Sequence, residues 1–233
     1  MSGSEPIEEI YDAFAATYDA SRDQFDLSDV LREFSAGLGD RPEQGRLLDL
    51  GCGAGEPVAR DFASRGWQVT GVDVSRAMLA LAARYVPQLT LIHADMREVD
   101  FPESSFDAIT AVYSLFHVPR EEHPALFARM RRWLVPGGRV LMTYATREYT
   151  GHDRFDGEKE FMGRSLFYSH ATPDELREQL AGAGFRIVDA RKRQIGGETF
   201  LWVTVERPSD SSVAGSGFTH NASTRSSSGV PES

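Results

Sequence analysis

Three glycines at alternate positions, Gly51, Gly53 and Gly55, stand directly behind a short apolar run, Arg46-Leu47-Leu48-Asp49-Leu50, and ahead of a helix-like stretch over residues 57–65. A strand that passes through a glycine turn into a helix constrains the rest of the chain. Glycine lets the backbone turn sharply and approach a ligand with no Cβ in between. In an open α/β sheet such a turn lies at the carboxyl ends of the strands, where ligands bind. Pro57 near the start of the helix and Gly66 past its end frame it.

The pattern continues. Residues 68–73, 89–93, 106–112 and 139–145 read as further strands, the last entered through Pro136-Gly137-Gly138. Ser75 can cap the helix after the second strand. The helix from Pro124 to Leu134 places Leu126, Phe127, Met130, Trp133 and Leu134 on one face. Strands separated by helices imply right-handed crossovers and a parallel sheet covered on both faces. The end of the chain breaks that rhythm. Thr172-Pro173-Asp174-Glu175 is a capping box, opening a helix that Gly184 closes. Residues 185–193 and 198–206 then flank Gly196-Gly197 as a hairpin. The expected fold class is therefore α/β, a mostly parallel sheet finished by an antiparallel C-terminal hairpin, with helices on both faces.

Two segments stand outside this plan. Residues 7–34 look helical, and residues 146–170 are long for a connection, as lids often are. The Ser-, Gly- and Thr-rich residues 208–233 cannot bury enough apolar surface to offset their ordering entropy and read as a disordered tail. The domain plan is thus a helical cap over residues 1–40, a ligand-binding domain over 41–207 with a lid-like insertion at 146–170, and a tail over 208–233.

A chain of 233 residues suits one domain. Its net charge of −10 repels phosphate backbones and argues against nucleic acid as a partner. Arg129, Arg131 and Arg132 read as the solvated side of a helix. With one cysteine, Cys52, no internal disulfide forms, in keeping with a reducing cytoplasm. No apolar run is long enough for a bilayer, and residues 1–9 are acidic without the apolar core of a signal peptide. The expectation is a cytoplasmic protein with no membrane partner and no signature of a particular oligomeric state. Asn221-Ala222-Ser223 then matches the glycosylation pattern by chance. His152 sits in a polar loop, and no histidine–carboxylate spacing compels a metal site.

Glycine spacing narrows the ligand. A dinucleotide loop follows G-x-G-x-x-G, but Glu56 occupies the third glycine position, and a carboxylate there would face a pyrophosphate unfavourably. A ligand without phosphate, carrying a sulfonium and an amino-acid end, suits it better; a glycine turn with no ligand is the competing reading. Asp73 ends the next strand about 20 residues past the loop, as a ribose-binding carboxylate does; the alternative is a helix-capping Asp. Asp95 can accept from an adenine amino group while Met96 packs against the ring, or Asp95 is simply an exposed turn carboxylate.

Taken in order, Leu-Asp-Leu-Gly-Cys-Gly-Ala-Gly (48–55), Gly-Val-Asp-Val-Ser (71–75), Ala-Asp-Met (94–96), Phe-Asp-Ala-Ile (106–109) and Leu-Val-Pro-Gly-Gly-Arg (134–139) resemble the motif set of class I S-adenosylmethionine (SAM)-dependent methyltransferases, over residues 45–144. The resemblance implies a Rossmann-like seven-stranded sheet with its final strand antiparallel, and SAM as cofactor. It would set Asp49 and Gly51 beside the methionyl end, with Cys52, Gly53 and Gly55 in the loop. Asp73 would hold the ribose hydroxyls, Val74 and Met78 would pack near the adenine, and Asp95 and Met96 would frame it. Tyr113 and Ser114 would pass near the sulfonium. Residues 11–19 resemble the N-terminal helix of small-molecule members, where aromatic residues such as Tyr11 and Tyr18 help close the pocket; a plain amphipathic helix is the alternative.

The function implied is methyl transfer to an oxygen, nitrogen or carbon atom of a small molecule. Because fold does not fix chemistry, a non-methylating SAM enzyme such as a cyclase, or a non-catalytic SAM-binding protein, stands as the alternative. A nicotinamide dehydrogenase is disfavoured by the glycine spacing. A general base is needed only if the acceptor must lose a proton. Candidates are His117, just past the fourth strand, and His170, at the end of the long connection, which reads equally as a cap or surface contact. Tyr144, ending the fifth strand, can touch the acceptor or be a core aromatic. Phe155, Phe161, Phe167 and Tyr168 make the connection aromatic, which suits a planar, apolar or cationic acceptor, or else anchors the loop to the core.

Overall fold

The structure is a computed structural model and describes residues 6–18, 25–39, 44–161 and 163–209. Nearly all of the expected tail, with the glycosylation-like triplet, lies outside the described residues. The strands are β1 (Arg46–Leu50), β2 (Gln68–Asp73), β3 (Thr90–His93), β4 (Phe106–Ala111), β5 (Leu134–Tyr144), β6 (Phe155–Phe161), β7 (Arg164–His170), β8 (Arg186–Ile195) and β9 (Glu198–Glu206). The helices are α1 (Ile7–Ala15), α2 (Ser28–Gly37), α3 (Val58–Ser64), α4 (Arg76–Tyr85), α5 (His123–Trp133), α6 (Arg147–Thr150) and α7 (Pro173–Gly182). Among the described residues no helix is long and apolar enough to cross a membrane.

Seven strands form one sheet in the order β3-β2-β1-β4-β5-β9-β8. The first five are mutually parallel; β9 runs antiparallel to β5, and β8 antiparallel to β9. This is the Rossmann-like α/β sheet with an antiparallel C-terminal hairpin that the sequence implied. Side chains alternate across it with the period of two that a strand imposes. Leu47, Ala108, Leu141 and Trp202 face the layer of α2 and α3, packing with Val30, Phe34 and Phe62. Leu48, Ile109, Val140, Met142 and Val203 face the layer of α5 and α7, packing with Phe127, Met130, Trp133 and Leu176.

Three expectations are refined. Residues 7–34 are two helices, α1 and α2, rather than one helical run, and residues 19–24 between them lie outside those described. The Pro136-Gly137-Gly138 segment belongs to β5, because Gly137 donates its N–H to the Arg207 carbonyl and Arg207 donates back to Gly138. The strand is irregular there, its register against β4 shifting between Phe106 and Ala108. The connection over 146–170 is not loop: it holds α6 and the two-stranded antiparallel sheet β6–β7. The capping box is present, with Thr172 accepting from the Glu175 N–H at 3.2 Å and Glu175 accepting from the Thr172 N–H at 2.9 Å. Thr172→Ala, which frees the first turn of α7, is expected to destabilise the fold by about 1 kcal/mol in urea unfolding.

Candidate functional site

The site begins where β1 and β4 end side by side. Asp49 of β1 pairs in register with Thr110 of β4, whose hydroxyl donates to its carboxylate at 2.7 Å. Asp49 is buried. Burial pushes its carboxyl up to about 7, the nearby Asp73 adding to the rise and the Thr110 hydrogen bond opposing it. One residue past the strand, Gly51 takes φ of +77°, and a Cβ there would stand 2.3 Å from the Ser114 Cβ. Only glycine lets the turn pass so close. Ser114 in turn donates its hydroxyl to the Leu50 carbonyl at 2.7 Å, and Gly51 and Cys52 both donate their N–H to Val72.

Asp73, at the end of β2, closes the other side. Gly53 donates its N–H to one carboxylate oxygen at 2.8 Å, and Ser75 donates to the other at 2.9 Å. Each oxygen keeps a lone pair, as two vicinal hydroxyls require. Burial raises the Asp73 carboxyl, and these backbone donors offset part of the rise. Asp73 also supports the start of α4 through Ser75, so the ligand-binding and helix-capping readings are compatible. Ser75 is the N-cap itself, accepting from Met78.

These groups line a cleft with two arms that share Tyr11, Gly51, Gly53, Met78 and Tyr113. The narrow arm encloses about 110 Å³ between Asp73, Val74, Ala94, Asp95 and Met96, with Ser114 and His117 behind. The wide arm encloses about 450 Å³ and holds Asp49, Cys52 and Tyr18. Thirteen of the fourteen expected cofactor residues thus meet at one cleft; the fourteenth, Gly55, lines neither arm. Its α-carbon packs instead toward Ala82, Val86 and Leu89, seating the loop on α4. The Cys52 thiol is buried and its pKa raised by that burial, so it stays protonated.

The electrostatics favour a cation. In the narrow arm Arg97 is held by Asp95 and Glu122. Burial resists ionisation of Asp95, but Arg97 outweighs it and keeps that carboxyl below its usual value. Among the described residues no Lys, Arg or His lines the wide arm, whereas Asp49, Glu56, Glu160 and Glu198 do. Arg60 pairs with Glu56 and Glu160 is exposed, but the buried Asp49 and the half-buried Glu198 give this arm a negative sign, which would repel phosphate and attract a sulfonium or ammonium group. The residues present therefore fit an adenosyl sulfonium.

The three expected catalytic side chains divide. His117 reaches the narrow arm, with both ring nitrogens occupied. Nδ1 donates to the Phe167 carbonyl at 2.8 Å, which leaves Nε2 to accept from the Tyr11 hydroxyl at 2.8 Å. Burial pulls its pKa down to about 4, so the ring is neutral and a poor proton acceptor. Tyr144 and His170 are not on the cleft. The Tyr144 hydroxyl accepts from the Ala171 N–H at 2.8 Å inside the core. His170 is fully buried between Thr150, bonded at 2.7 Å, and the Ala171 carbonyl, because β7 turns it toward α6. Of the connection's aromatics, Phe161 and Tyr168 line the wide arm, while Phe155 stacks on His170.

Several site residues escaped sequence reasoning. Asp12 of α1 accepts from the Ser75 hydroxyl at 2.5 Å and from the Ala77 N–H at 3.0 Å, fastening α1 to the start of α4. Its spacing of more than sixty residues from these partners gives no local signal. Tyr149, Glu198 and Phe200 line the wide arm from α6 and β9. Tyr113, expected at the site, adopts φ of +55°, a strained conformation for a non-glycine residue, with its N–H held by the Thr143 hydroxyl.

Residues 47–138 match a family model described as a methyltransferase domain. The chain is 35% identical over 103 residues to 27-O-demethylrifamycin SV methyltransferase of Amycolatopsis mediterranei, covering 42% of this chain and 37% of that one. It is 32% identical over 155 residues to 2-phytyl-1,4-naphtoquinone methyltransferase of Synechococcus elongatus, covering 62% and 65%. The matched stretches thus span less than two thirds of these relatives' lengths. Among solved structures, 1,6-didemethyltoxoflavin-N1-methyltransferase of Burkholderia thailandensis, with S-adenosylhomocysteine bound, superposes with a TM-score of 0.62 at 22% identity over 89% of this chain and 93% of that one, a likeness of fold.

Asp12→Ala should release α1 from α4. Hydrogen exchange followed by mass spectrometry should then speed up in residues 7–15 while β1 stays protected.

Proposed function

We propose that this chain, whose residues 47–138 match a methyltransferase domain, is a class I SAM-dependent methyltransferase that transfers a methyl group from SAM to an oxygen, nitrogen or carbon atom of a small-molecule acceptor. The observation that carries this reading is the pair of carboxylates, the buried Asp49 and the half-buried Asp73, on either side of a glycine turn with no free cation beside them among the described residues. SAM, when bound, would supply a methyl group on a sulfonium: an acceptor electron pair would form the bond to the methyl carbon as the S–CH3 bond breaks and S-adenosylhomocysteine leaves with the pair of that bond, without covalent help from the protein.

In this reading the narrow arm takes the adenosine. Asp73 accepts from the ribose hydroxyls, Val74 and Met78 pack near the adenine, and Asp95 and Met96 frame it. Asp49, Gly51, Tyr113 and Ser114 lie toward the methionyl end, and Cys52 and Gly53 shape the turn between. The wide arm is the acceptor chamber, with Tyr11 and Tyr18 at its edge. The chain's own work is orientation and exclusion of water; well-oriented reactions gain roughly 7–11 kcal/mol in favourable cases. The N-terminal helix acts as a cap and residues 146–170 as a lid over that chamber. His117, with both nitrogens engaged, positions Tyr11 rather than taking a proton. The acceptor is a small molecule, since a cleft of this sign disfavours a nucleic acid backbone. The single cysteine supports a cytoplasmic setting.

Asp73→Ala should weaken SAM binding about ten- to a hundred-fold, the loss of two hydrogen bonds to a charged acceptor, while the protein stays folded. Calorimetry with a parallel thermal melt checks this; unchanged affinity in a folded variant refutes the assignment. The Asp49 carboxyl, near 7 in the free protein, ionises as pH rises, and the ionised form attracts a sulfonium. The ratio of SAM to S-adenosylhomocysteine affinity should therefore climb between about pH 6 and pH 8 and stay flat in Asp49→Asn.

A further inference from the structure

We propose that the wide arm selects an organic cation, a flat ring bearing an amine protonated at neutral pH, whose ammonium group rests against Glu198. The inference depends on the acceptor-chamber reading above and adds the chemical class of the acceptor.

Glu198 opens β9 and lines the wide arm, half-buried. Among the described residues its carboxylate has no hydrogen bond or ion pair. The cation whose charge reaches it, Lys159, makes its close contacts elsewhere: its ammonium donates to the Tyr149 carbonyl at 2.8 Å and lies 4.6 Å from the centre of the Tyr149 ring. A partly desolvated carboxylate without a hydrogen bond is costly to keep: burial raises the Glu198 carboxyl, and the charge of Lys159 offsets only part of the rise. An incoming ammonium removes that cost.

The walls around Glu198 suit the same guest. It shares that arm with Tyr11, Tyr113, Tyr149 and Tyr168, whose hydroxyls all feel its charge. Aromatic faces attract cations, and several together form a cage for them. The Tyr113 hydroxyl is buried with no hydrogen-bond partner and needs one, which a polar group on a bound ring would provide. Phe116 and Phe200, stacked on each other 5.2 Å apart with planes 17° from parallel and almost fully buried, give the arm a rigid aromatic wall. With no Lys, Arg or His among the described residues that line this arm, and Lys159 bonded to the Tyr149 carbonyl behind it, an acceptor carrying phosphate or carboxylate is disfavoured.

The test is calorimetric titration of the full chain, loaded with S-adenosylhomocysteine, with tryptamine and tyramine, each set against its matched acid, indole-3-acetate and 4-hydroxyphenylacetate. Wild type should bind the amines at least about ten-fold more tightly than the acids. Glu198→Gln should lose most of that preference while its affinity for S-adenosylhomocysteine and its melting temperature stay unchanged, and Glu198→Asp should restore part of it. Equal binding of amine and acid by wild type, no binding of either amine, or a preference that survives Glu198→Gln overturns the proposal. If S-adenosylhomocysteine itself does not bind, the methyltransferase reading fails separately, and the same amine-to-acid comparison without it still decides the question of the chamber.

Discussion

The close passage of Gly51 beside Ser114 is the constraint on which the cleft depends. β1 lies inside the sheet, with β2 on one side and β4, the middle strand, on the other. The helix after β1 covers one face and the helix after β4 covers the other. The two strand ends must therefore diverge, and the gap between them is the crevice that open α/β sheets use for ligands. Ser114 ties that divergence to the Leu50 carbonyl, and Thr110 ties it to Asp49 one layer deeper. A side chain at position 51 would push the two edges apart and widen the floor.

The same geometry carries an electrostatic cost. Asp49, Asp73 and Glu198 are all driven toward their protonated forms by burial, and the charged residues nearby are occupied by other partners. A protein that only had to be stable would neutralise them or replace them with apolar groups. Perturbed carboxylates gathered in a cleft are instead the mark of a site waiting for a charged guest. Stability is given up locally and returned when a ligand of the right sign arrives.

Most of the sheet was legible because its signals are local. The strands alternate or run apolar, Ser75 and Thr172 cap their helices from within three residues, and Gly196-Gly197 marks its own turn. β6 and β7 were not legible. β6 reads Phe-Asp-Gly-Glu-Lys-Glu-Phe, polar at four of seven positions, and is a strand because β7 pairs with it. The site followed the same rule. Residues in or beside the glycine turn and the strand ends could be named from spacing. Asp12 and Glu198 could not, since their partners and neighbours come from distant parts of the chain. His170 and Tyr144 failed in the opposite way: both are chemically able, but one strand's direction and one backbone N–H hold them in the core.

His117 has a consequence for how anything enters this cleft. Its ring joins three pieces of chain that are far apart in sequence: the helix bearing Tyr11, the turn after β4, and the carbonyl of Phe167 in β7. Moving the Tyr11 helix or β7 away by itself leaves one nitrogen of the neutral imidazole without its partner. If the N-terminal helix and β7 cover the cleft as proposed, admitting a guest past either one costs a hydrogen bond at this junction.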